Sequence, residues 1–566
     1  MHIKSFPVLL FVLSSFTRLC FSQNASDDEK LRSIVSEKSQ AEVTIPNPGS
    51  REIDKLTRAL SISSIKGKEV HLVLSPLTIE WFISQDFDYH IIERIDSKGI
   101  ISSVNMLNAM EWESYPSYSQ YDSIMRYFAA TYPSLCILDT IGTSINGRLV
   151  LALKISDNSN INESEPEVFY TSSMHGDETG GFILMLRLSD YLLKNYSLDT
   201  RVKNLVDNLE IWINPLANPD GTYNGSDFII SPTRNNANGY DLNRNFPDPD
   251  IQHFVRQKET LDMMKFLTEH RFVLSANFHS GEEVVNYPWD KWPTLHADEE
   301  WFYTICRDWA DTVHSYSPDG YMDYLDNGVT RGYDWYPVYG GRQDFVTYTL
   351  SGREITVELD RDFITPTSGL DDLWQYNRRS LLGYLENALY GIHGQVSDAL
   401  TGDRVSAKIS IEGYDKDNSY VYSDTLSGYF TRFLAPGSYN LTFTADGYMV
   451  TIIKNITVVS GEETKLLVKM NPRLNPADTT NPARPLFYPN PAGSYVKAVL
   501  PESIRGAVNI RIYSMTGIKV AEYDMEASAL FPVKLDVSRL PAGSYFAVFK
   551  GITGNLSYTG RFVIVR

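Results

Sequence analysis

The chain has 566 residues, of which 43% are hydrophobic and 21% charged, and its formal net charge is −19. Such a composition is typical of a globular protein with enough apolar residues for several cores, and the length predicts roughly three to four domains. The acidic balance argues against a nucleic-acid partner, because phosphate binding needs a basic face.

Residues 1–22 predict a signal peptide for export. Lys4 provides a positive start, residues 6–16 form a short apolar run, and Ser22 is a small residue at the end of the segment. The run is too short to span a bilayer, and no later segment is long and apolar enough to form a membrane helix. We therefore expect a secreted or cell-surface protein with no membrane span.

Two cysteines, Cys136 and Cys306, remain after removal of that segment. Export makes a disulfide between them possible. Each cysteine lies in an apolar stretch, so two separately buried thiols fit the sequence at least as well. Two cysteines cannot form a Cys-rich metal site.

Residues 23–105 predict a small α/β region, because two apolar stretches flank the helix-like run at residues 77–84. Residues 106–390 alternate apolar strands with amphipathic helices, which predicts an α/β fold with a mixed, mostly parallel sheet flanked by helices. Ligand sites in such sheets lie where strands end. The clearest strands and helices in this zone are Val168–Thr171, Leu209–Ile213, Phe272–Phe278, Ile355–Leu359, Gly181–Tyr196 and Leu370–Tyr390.

After residue 390 the pattern changes to short strands with period-two alternation, separated by turn residues. Residues 391–471 and 487–566 therefore predict two small all-β sandwich domains. Between them, residues 472–486 are rich in Pro, Asn and Thr and predict a linker.

Three residues at predicted strand ends form a candidate metal site. His175 and Glu178 follow the strand that ends near Met174, and His279 ends the strand that starts at Phe272. Two imidazoles and one carboxylate are ligands that suit a catalytic zinc, which keeps a fourth position open. Taken alone, a His-x-x-Glu pair is more typical of a surface loop or a capped helix start, so the interpretation depends on the other motifs.

The phrase RNNANGYDLNRNFPD contains Arg234, Asp241, Asn243 and Arg244. Two arginines and an amide close together can bind a carboxylate in bidentate fashion. Asp241 can accept the second ring N–H of a ligating histidine and fix its tautomer. A polar surface loop is the alternative interpretation of this phrase.

Two further positions carry groups suited to catalysis. Glu358 lies near the end of a predicted strand, where a carboxylate can act as general base for a water that zinc activates. Tyr336 precedes Gly340 and Gly341, which permit a mobile flap that carries a phenol. An exposed strand carboxylate and a packed aromatic loop are the corresponding structural interpretations.

The ordered set of motifs resembles that of the zinc metallocarboxypeptidase family (funnelins), and within it the regulatory branch of carboxypeptidases N, E, D and M. The resemblance covers about residues 115–390 and implies the carboxypeptidase fold, one Zn²⁺ ion and hydrolysis of C-terminal peptide bonds. The motifs, in chain order, are HGDE, NPDG, RNN, DLNRNFPD, FHSG, NYPWD, WYPV and ITVEL.

The resemblance also implies a role for each matching residue. His175, Glu178 and His279 match the zinc ligands, and Glu358 matches the general base. Arg234 matches the arginine that polarises the scissile carbonyl and stabilises the oxyanion. The remaining matches bind the substrate: Asn243 and Arg244 its terminal carboxylate, and Tyr336 the bound peptide, over which it closes.

Asp290 falls at the base of the pocket that receives the departing side chain, and Gln343 matches a polar pocket residue of the regulatory branch. A buried carboxylate there pairs with Arg or Lys and rejects apolar side chains. The resemblance therefore implies basic peptide or protein C-termini as substrates. The alternative is that Asp290 only caps a turn beside Pro288.

The zones outside the motifs carry resemblances of their own. Residues 391–471 resemble the transthyretin-like sandwich of the regulatory branch, which suggests a folding or docking role. The phrases FYPNPAGSYV and LPAGSYFAVF resemble the C-terminal sorting domain of type IX secretion substrates, which implies secretion machinery as a partner and transport across an outer membrane. Residues 23–105 look like a short propeptide, and blocking of the cleft is a hypothesis for their role.

Two rival functions are compatible with parts of this pattern. A related zinc amidase acting on cell-wall peptides or acyl-amino acids would share the metal site, but would not need Asn243, Arg244 and Tyr336 to bind a free carboxylate. A non-catalytic surface binding protein would keep the fold, but every residue needed for turnover is present.

Overall fold

The computed structural model describes residues 26–92, 99–250, 255–473, 485–500, 506–527, 532–551 and 557–566. The predicted signal peptide and most of the predicted linker lie outside the described residues. The chain divides into two compact units, Met1–Tyr390 with Lys416–Ser419, and Gly391–Asp415 with Tyr420–Arg566. No helix in the described ranges has both the length and the hydropathy needed to cross a membrane.

The N-terminal zone of the first unit is a four-stranded antiparallel sheet packed with helices. The strand order is β2-β3-β1-β4, and the apolar core includes Leu56, Ile62 and Phe82. A register shift between Ile62 and Ser64 creates a β-bulge at Ser63, which can re-aim that side chain. The elements are α1 (residues 26–38), β1 (Ala41–Pro46), α2 (Ser50–Ala59), β2 (Ser61–Lys66), β3 (Glu69–Leu74), α3 (Ile79–Ser84) and β4 (His90–Ile92).

The rest of the first unit is built on an eight-stranded sheet with the order β11-β10-β12-β9-β7-β8-β6-β5. Its elements are α4 (Met106–Ala109), α5 (Tyr118–Thr131), β5 (Cys136–Thr143), β6 (Leu149–Ile155), β7 (Glu167–Ser172), α6 (Gly180–Asn195), α7 (Thr200–Val206), β8 (Glu210–Asn214), α8 (Pro219–Tyr223), α9 (Lys258–Glu269), β9 (Phe272–His279), β10 (Glu282–Tyr287), α10 (Glu299–His314), β11 (Val329–Arg331), α11 (Gly332–Trp335), α12 (Arg342–Asp344), β12 (Arg353–Asp360) and α13 (Leu370–Glu386).

This sheet is mixed, as predicted. The neighbours β12, β9, β7 and β8 run parallel, whereas β10 is antiparallel to β12, and β6 is antiparallel to both β8 and β5. Strands β7 and β8 are buried along their whole length, because helices cover both faces of a parallel sheet. The carboxyl ends of β7, β9 and β12 therefore meet at one edge, where a site can form.

Local patterns predicted the main elements of this unit within a residue or two. The predicted helix over residues 370–390 ends as an α-helix at Glu386 and continues as a short 3-10 turn, Asn387–Leu389. Cys136 on β5 and Cys306 on α10 are separate buried thiols, which decides the alternative that the sequence left open. Burial raises the pKa of both thiols.

The second unit consists of two β-sandwiches, each with its own apolar core. The first has sheets of order β16-β13-β19 and β15-β14-β17-β18, and the second has sheets of order β20-β21-β24 and β23-β22-β25-β26. An α/β fold followed by two small all-β domains is thereby confirmed. The strands are β13 (Gly391–Asp398), β14 (Lys408–Ser410), β15 (Val421–Tyr422), β16 (Tyr429–Arg432), β17 (Gly437–Thr444), β18 (Thr451–Val458), β19 (Glu463–Met470), β20 (Leu486–Tyr488), β21 (Tyr495–Val499), β22 (Gly506–Ser514), β23 (Lys519–Ala527), β24 (Val533–Asp536), β25 (Gly543–Gly551) and β26 (Ser557–Ile564).

Candidate functional site

The loop between β7 and α6 carries His175 and Glu178, both buried. It packs tightly against the turn that starts α8. A Cβ atom added to Gly176 would lie 2.2 Å from the carbonyl carbon of Gly221, so only glycine permits this approach. Asn218 holds the two loops together, since its amide accepts from the N–H of Gly221 and donates to the carbonyl of Met174.

Three side chains converge beyond the ends of β7 and β9. His175 Nδ1 lies 2.7 Å from Glu178 Oε1, and His279 Nδ1 lies 2.7 Å from Glu178 Oε2. The two Nδ1 atoms are 3.0 Å apart. One ligand atom from each residue lies within 4.8 Å of the others, which makes this trio a possible metal-binding group.

The Nε2 atom of each imidazole lies within hydrogen-bonding distance of another side chain. His175 Nε2 lies 3.0 Å from Asp241 Oδ1, and His279 Nε2 lies 2.7 Å from the amide of Asn277. A carboxylate at Nε2 holds the proton there, so that the lone pair of His175 Nδ1 points toward His279 and Glu178. Two nitrogens and a carboxylate around one point fit Zn²⁺, whose tetrahedral ligand atoms lie roughly 3.3 Å apart.

Arg234 lies beside this trio and is itself buried. Its Nη1 donates to Glu178 Oε1 at 3.2 Å, and its Nε donates to Asp241 Oδ2 at 3.1 Å. Although burial opposes the charge, these two carboxylates raise the pKa of the guanidinium, so Arg234 stays cationic. Arg234 in turn lowers the pKa of Asp241 against the effect of burial.

Glu358 reaches the same point from β12. It pairs in register with His279 on the parallel neighbour β9, which places the two side chains at the same level of the sheet edge. Burial and the like charge of Glu178 raise the pKa of Glu358. Its Oε2 atom is buried without a hydrogen-bond partner in the described part of the chain. The carboxyl is therefore available to a water or a substrate in the cavity.

Asn243 and Arg244 form a second cluster, on a 3-10 turn that Asp241 caps through the N–H of Asn243. Arg244 donates from Nη1 to the carbonyl of Asn243 at 2.9 Å. Its Nε and Nη2 atoms are buried, yet neither has a hydrogen-bond partner among the described residues. A planar pair of unpaired donors matches the geometry of a carboxylate.

Asp290 and Gln343 lie together at the floor of the cavity. Gln343 donates from Nε2 to Asp290 Oδ1 at 2.6 Å and to Asn286 Oδ1 at 2.8 Å. Burial, followed by the like charge of Asp344, raises the pKa of Asp290. A cation placed beside Asp290 would counter both effects. Gly332 leaves the room for this carboxylate, because a Cβ atom there would lie 1.9 Å from Asp290 Oδ1.

The N-terminal zone contacts the site directly through β2. Ser61 Oγ donates to Asp241 Oδ2 at 2.5 Å, and Tyr336 Oη donates to the carbonyl of Ile62 at 3.4 Å. Ser63, at the bulge, forms part of the cavity wall, and the cavity measures about 30 Å³. That volume accommodates one or two water molecules but no amino-acid side chain. Tyr336 also packs in the apolar core of the N-terminal zone.

The structure brings all eleven predicted site residues to this region. Nine of them line the one cavity, whereas Asp241 lies behind His175 and Gln343 lies behind Asp290.

Sequence reasoning did not single out the supporting residues Asn218, Asn277, Asn286 and Gly332. Asn218 and Asn286 lie within the motifs NPDG and NYPWD, so these motifs contained the signal, whereas nothing local marks Asn277 or Gly332.

Comparison with known proteins gives the following matches. Residues 121–380 match the zinc carboxypeptidase family, and residues 486–565 match the secretion system C-terminal sorting domain. Carboxypeptidase D of Homo sapiens is 36% identical over 359 residues, which are 59% of this chain and 25% of that protein. The chain thus spans about a quarter of the length of that relative.

One curated relative and one solved structure match over a larger share of their own length. The carboxypeptidase N catalytic chain of Mus musculus is 34% identical over 390 residues, which are 60% of this chain and 83% of that protein. Among solved structures, carboxypeptidase A from Helicoverpa armigera is 18% identical with a TM-score of 0.47, and the match covers 62% of this chain and 98% of that one.

Removal of one imidazole tests the candidate metal site. The variant His279→Ala leaves two donors of the trio, so we expect the zinc content of the purified chain, measured by plasma mass spectrometry after dialysis, to fall from one ion per chain to nearly none. As a control, His393→Ala on β13 removes a histidine from the other unit and should leave the zinc content unchanged. An unchanged zinc content in His279→Ala would remove this residue from the site.

Proposed function

Because this chain belongs to the zinc carboxypeptidase family, we propose that it is an exported metallocarboxypeptidase that releases a single C-terminal residue, Arg or Lys, from peptides. The observation that carries the proposal is the pair of buried, unpartnered donors on Arg244, next to the trio of donors and to Glu358. A site that needs a free terminal carboxylate explains why those donors have no partner among the described protein groups.

The proposed reaction uses two side chains beside the metal trio, Glu358 and Arg234. Zinc, when bound by His175, Glu178 and His279, supplies a Lewis acid that activates water and polarises the scissile carbonyl. Glu358 takes the proton from the attacking water and passes it to the leaving amine. Arg234 donates hydrogen bonds to the carbonyl oxygen as negative charge develops on it.

Substrate binding falls to a different set of residues. Arg244 and the amide of Asn243 bind the terminal carboxylate, and Tyr336 closes over the peptide. Asp290, supported by Gln343, pairs with the basic side chain of the departing residue at the cavity floor. An apolar side chain there would leave a buried carboxylate without a counter-charge, which disfavours such substrates.

A zinc amidase acting on cell-wall peptides or acyl-amino acids is the second candidate. It would use the same metal site and Glu358, but it gives no reason for two unpartnered buried donors on Arg244. A non-catalytic binding protein gives no reason for Glu358 beside the metal trio. The carboxypeptidase proposal accounts for both features.

The accessory zones fit an exported enzyme. The match of residues 486–565 to a secretion sorting domain supports transport by a type IX machinery, with residues 1–22 as the export signal. For the sandwich at residues 391–471 we propose the transthyretin-like role of a folding or docking module, since none of the predicted site residues lies in it.

For residues 23–105 we propose the role of an inhibitory propeptide. Three contacts support it: Ser61 with Asp241, the carbonyl of Ile62 with Tyr336, and Ser63 in the cavity wall. Gln40 adds a fourth, since its Oε1 accepts from the backbone N–H of Arg234 at 2.8 Å. A peptide and the bulge of β2 cannot occupy the same space, because the remaining cavity is only about 30 Å³.

The proposed general base is tested by Glu358→Gln, which keeps the size of the side chain but removes its basicity. We expect kcat on hippuryl-Arg to fall roughly a thousandfold while the zinc content stays constant. Glu283→Gln, on the neighbouring strand β10 and outside the cavity, is the matched control and should keep normal turnover. Retained turnover in Glu358→Gln would remove Glu358 from its role.

The substrate class is tested with hippuryl-Arg, hippuryl-Lys and hippuryl-Phe. We expect hydrolysis of the two basic substrates, and a fall of roughly 10- to 100-fold in their kcat/KM in Asp290→Asn, because the counter-charge is lost. Asp371→Asn, an exposed carboxylate on α13, should change nothing. No release from any of the three substrates, with residues 23–105 separated by limited proteolysis, would contradict the carboxypeptidase proposal, and cleavage of a C-terminally amidated peptide alone would favour the amidase.

The inhibitory role is tested by comparing the full chain with the same preparation after limited proteolysis that separates residues 23–105 from the remainder. We expect the rate on hippuryl-Arg to rise roughly tenfold or more, since substrate binding no longer competes with β2. The nicked Glu358→Gln chain controls for activity of the added protease. Full activity of the uncut chain would rule out inhibition by this zone.

A further inference from the structure

A buried ion pair that the proposed mechanism does not use lies behind the substrate cavity. Arg342, the first residue of α12, donates from Nη2 to Glu354 Oε2 on β12 at 2.8 Å. Both side chains are fully buried, with 0% of their surface exposed. Ser275 on β9 also donates to Glu354 Oε2, at 2.7 Å. The pair thus ties the short helix α12 to two neighbouring strands of the central sheet.

This pair is costly to bury, so stability alone is a weak explanation for it. Removing two charges from water is unfavourable, and their mutual attraction offsets this cost only when the geometry is good. The Nε and Nη1 atoms of Arg342 are also buried without a hydrogen-bond partner within the described ranges. Packing of the guanidinium over the ring of Phe169, 5.0 Å from the ring centre, offsets only part of this cost.

The segment that begins at Arg342 contacts two residues of the proposed substrate site, Asn243 and Asp290. The backbone N–H of Arg342 donates to Asn243 Oδ1 at 3.0 Å, on the proposed carboxylate clamp. The next residue, Gln343, donates to Asp290 Oδ1 at the cavity floor. Asp344 accepts from the backbone N–H of Asp290 at 3.0 Å. A shift of α12 would therefore disturb the clamp and the floor together.

The contact with Asn243 also fixes which way its amide faces. Because Oδ1 accepts from the backbone of Arg342, the NH₂ group of Asn243 is left to face the cavity. With that contact loosened, the amide can turn over and present its oxygen to the substrate. A carbonyl oxygen repels a terminal carboxylate, so the clamp would lose one of its donors.

Building on the function proposed above, we infer that Arg342 is a positioning residue for substrate binding. Its guanidinium, held by Glu354, fixes α12 so that its backbone orients the amide of Asn243 toward the terminal carboxylate and Gln343 supports Asp290. Arg342 touches neither the substrate nor the reacting atoms. The positive charge of Arg342 also compensates the negative charge of Glu354, which acts on the nearby Asp290.

The test uses Arg342→Met, which keeps a long side chain but removes the ion pair. We expect KM for hippuryl-Arg to rise roughly tenfold with kcat changed by less than about twofold, because the defect lies in binding geometry. Binding is measured independently in the Glu358→Gln background, by calorimetry with an intact peptide ending in Arg, where the dissociation constant should rise by a similar factor. All variants are measured after the same limited proteolysis that separates residues 23–105, because the uncut chain leaves no room for a peptide.

Arg353→Met is the matched control. Arg353 lies on the same strand as Glu354 and forms an equally buried ion pair with Asp298 at 2.7 Å, and its side-chain partners lie outside the cavity. Both variants are expected to lower the melting temperature, but only Arg342→Met should raise KM. Arg342→Lys, which keeps a cation beside Glu354, should restore most of the affinity.

The outcomes separate this inference from the function on which it rests. An unchanged KM and dissociation constant in Arg342→Met, or an equal rise in Arg353→Met, would overturn the positioning role alone. Failure of the Glu358→Gln chain, after limited proteolysis has separated residues 23–105, to bind any peptide with a free C-terminal Arg or Lys would overturn the proposed function, and the positioning role with it.

Discussion

Two imidazole nitrogens and one carboxylate meet at a single buried point, and much of the first unit is arranged around that meeting. His175 and Glu178 come from the loop after β7, and His279 from the end of β9, so the trio requires these two strands to run parallel and to end at one edge. Glu358 arrives beside it through the register of β12 with β9. An antiparallel pairing of the same strands would send these side chains to opposite edges of the sheet.

Buried charged side chains of this region lie beside buried side chains of opposite charge. Arg234 lies between Glu178 and Asp241, and Arg342 lies against Glu354. In a low-dielectric site, a buried charge is favourable only when a counter-charge from the protein or from a bound ligand lies beside it. Arg244 has two buried donors without a partner among the described residues, and burial raises the pKa of Asp290; the proposal assigns the charged ends of the substrate to these two groups.

The N-terminal zone and the cavity share the residue Tyr336. Tyr336 packs in the core of the N-terminal zone while its hydroxyl reaches β2, and the same residue lines the cavity. In the proposed function the same tyrosine closes over the bound peptide. Ser63, at the bulge of β2, lies in the wall of the cavity.

The sequence by itself determined the α/β alternation and the two β-rich zones, because hydrophobic period is a local signal. It also gave the eleven predicted site residues, through motifs at strand ends and their resemblance to a known family. Only the tertiary structure decided the antiparallel insertion of β10 beside β12, the bulge at Ser63, the separate burial of Cys136 and Cys306, and the support of the site by Asn277 and Arg342. These features depend on which distant segments pair and in what register, and a local pattern carries no information about a partner far along the chain.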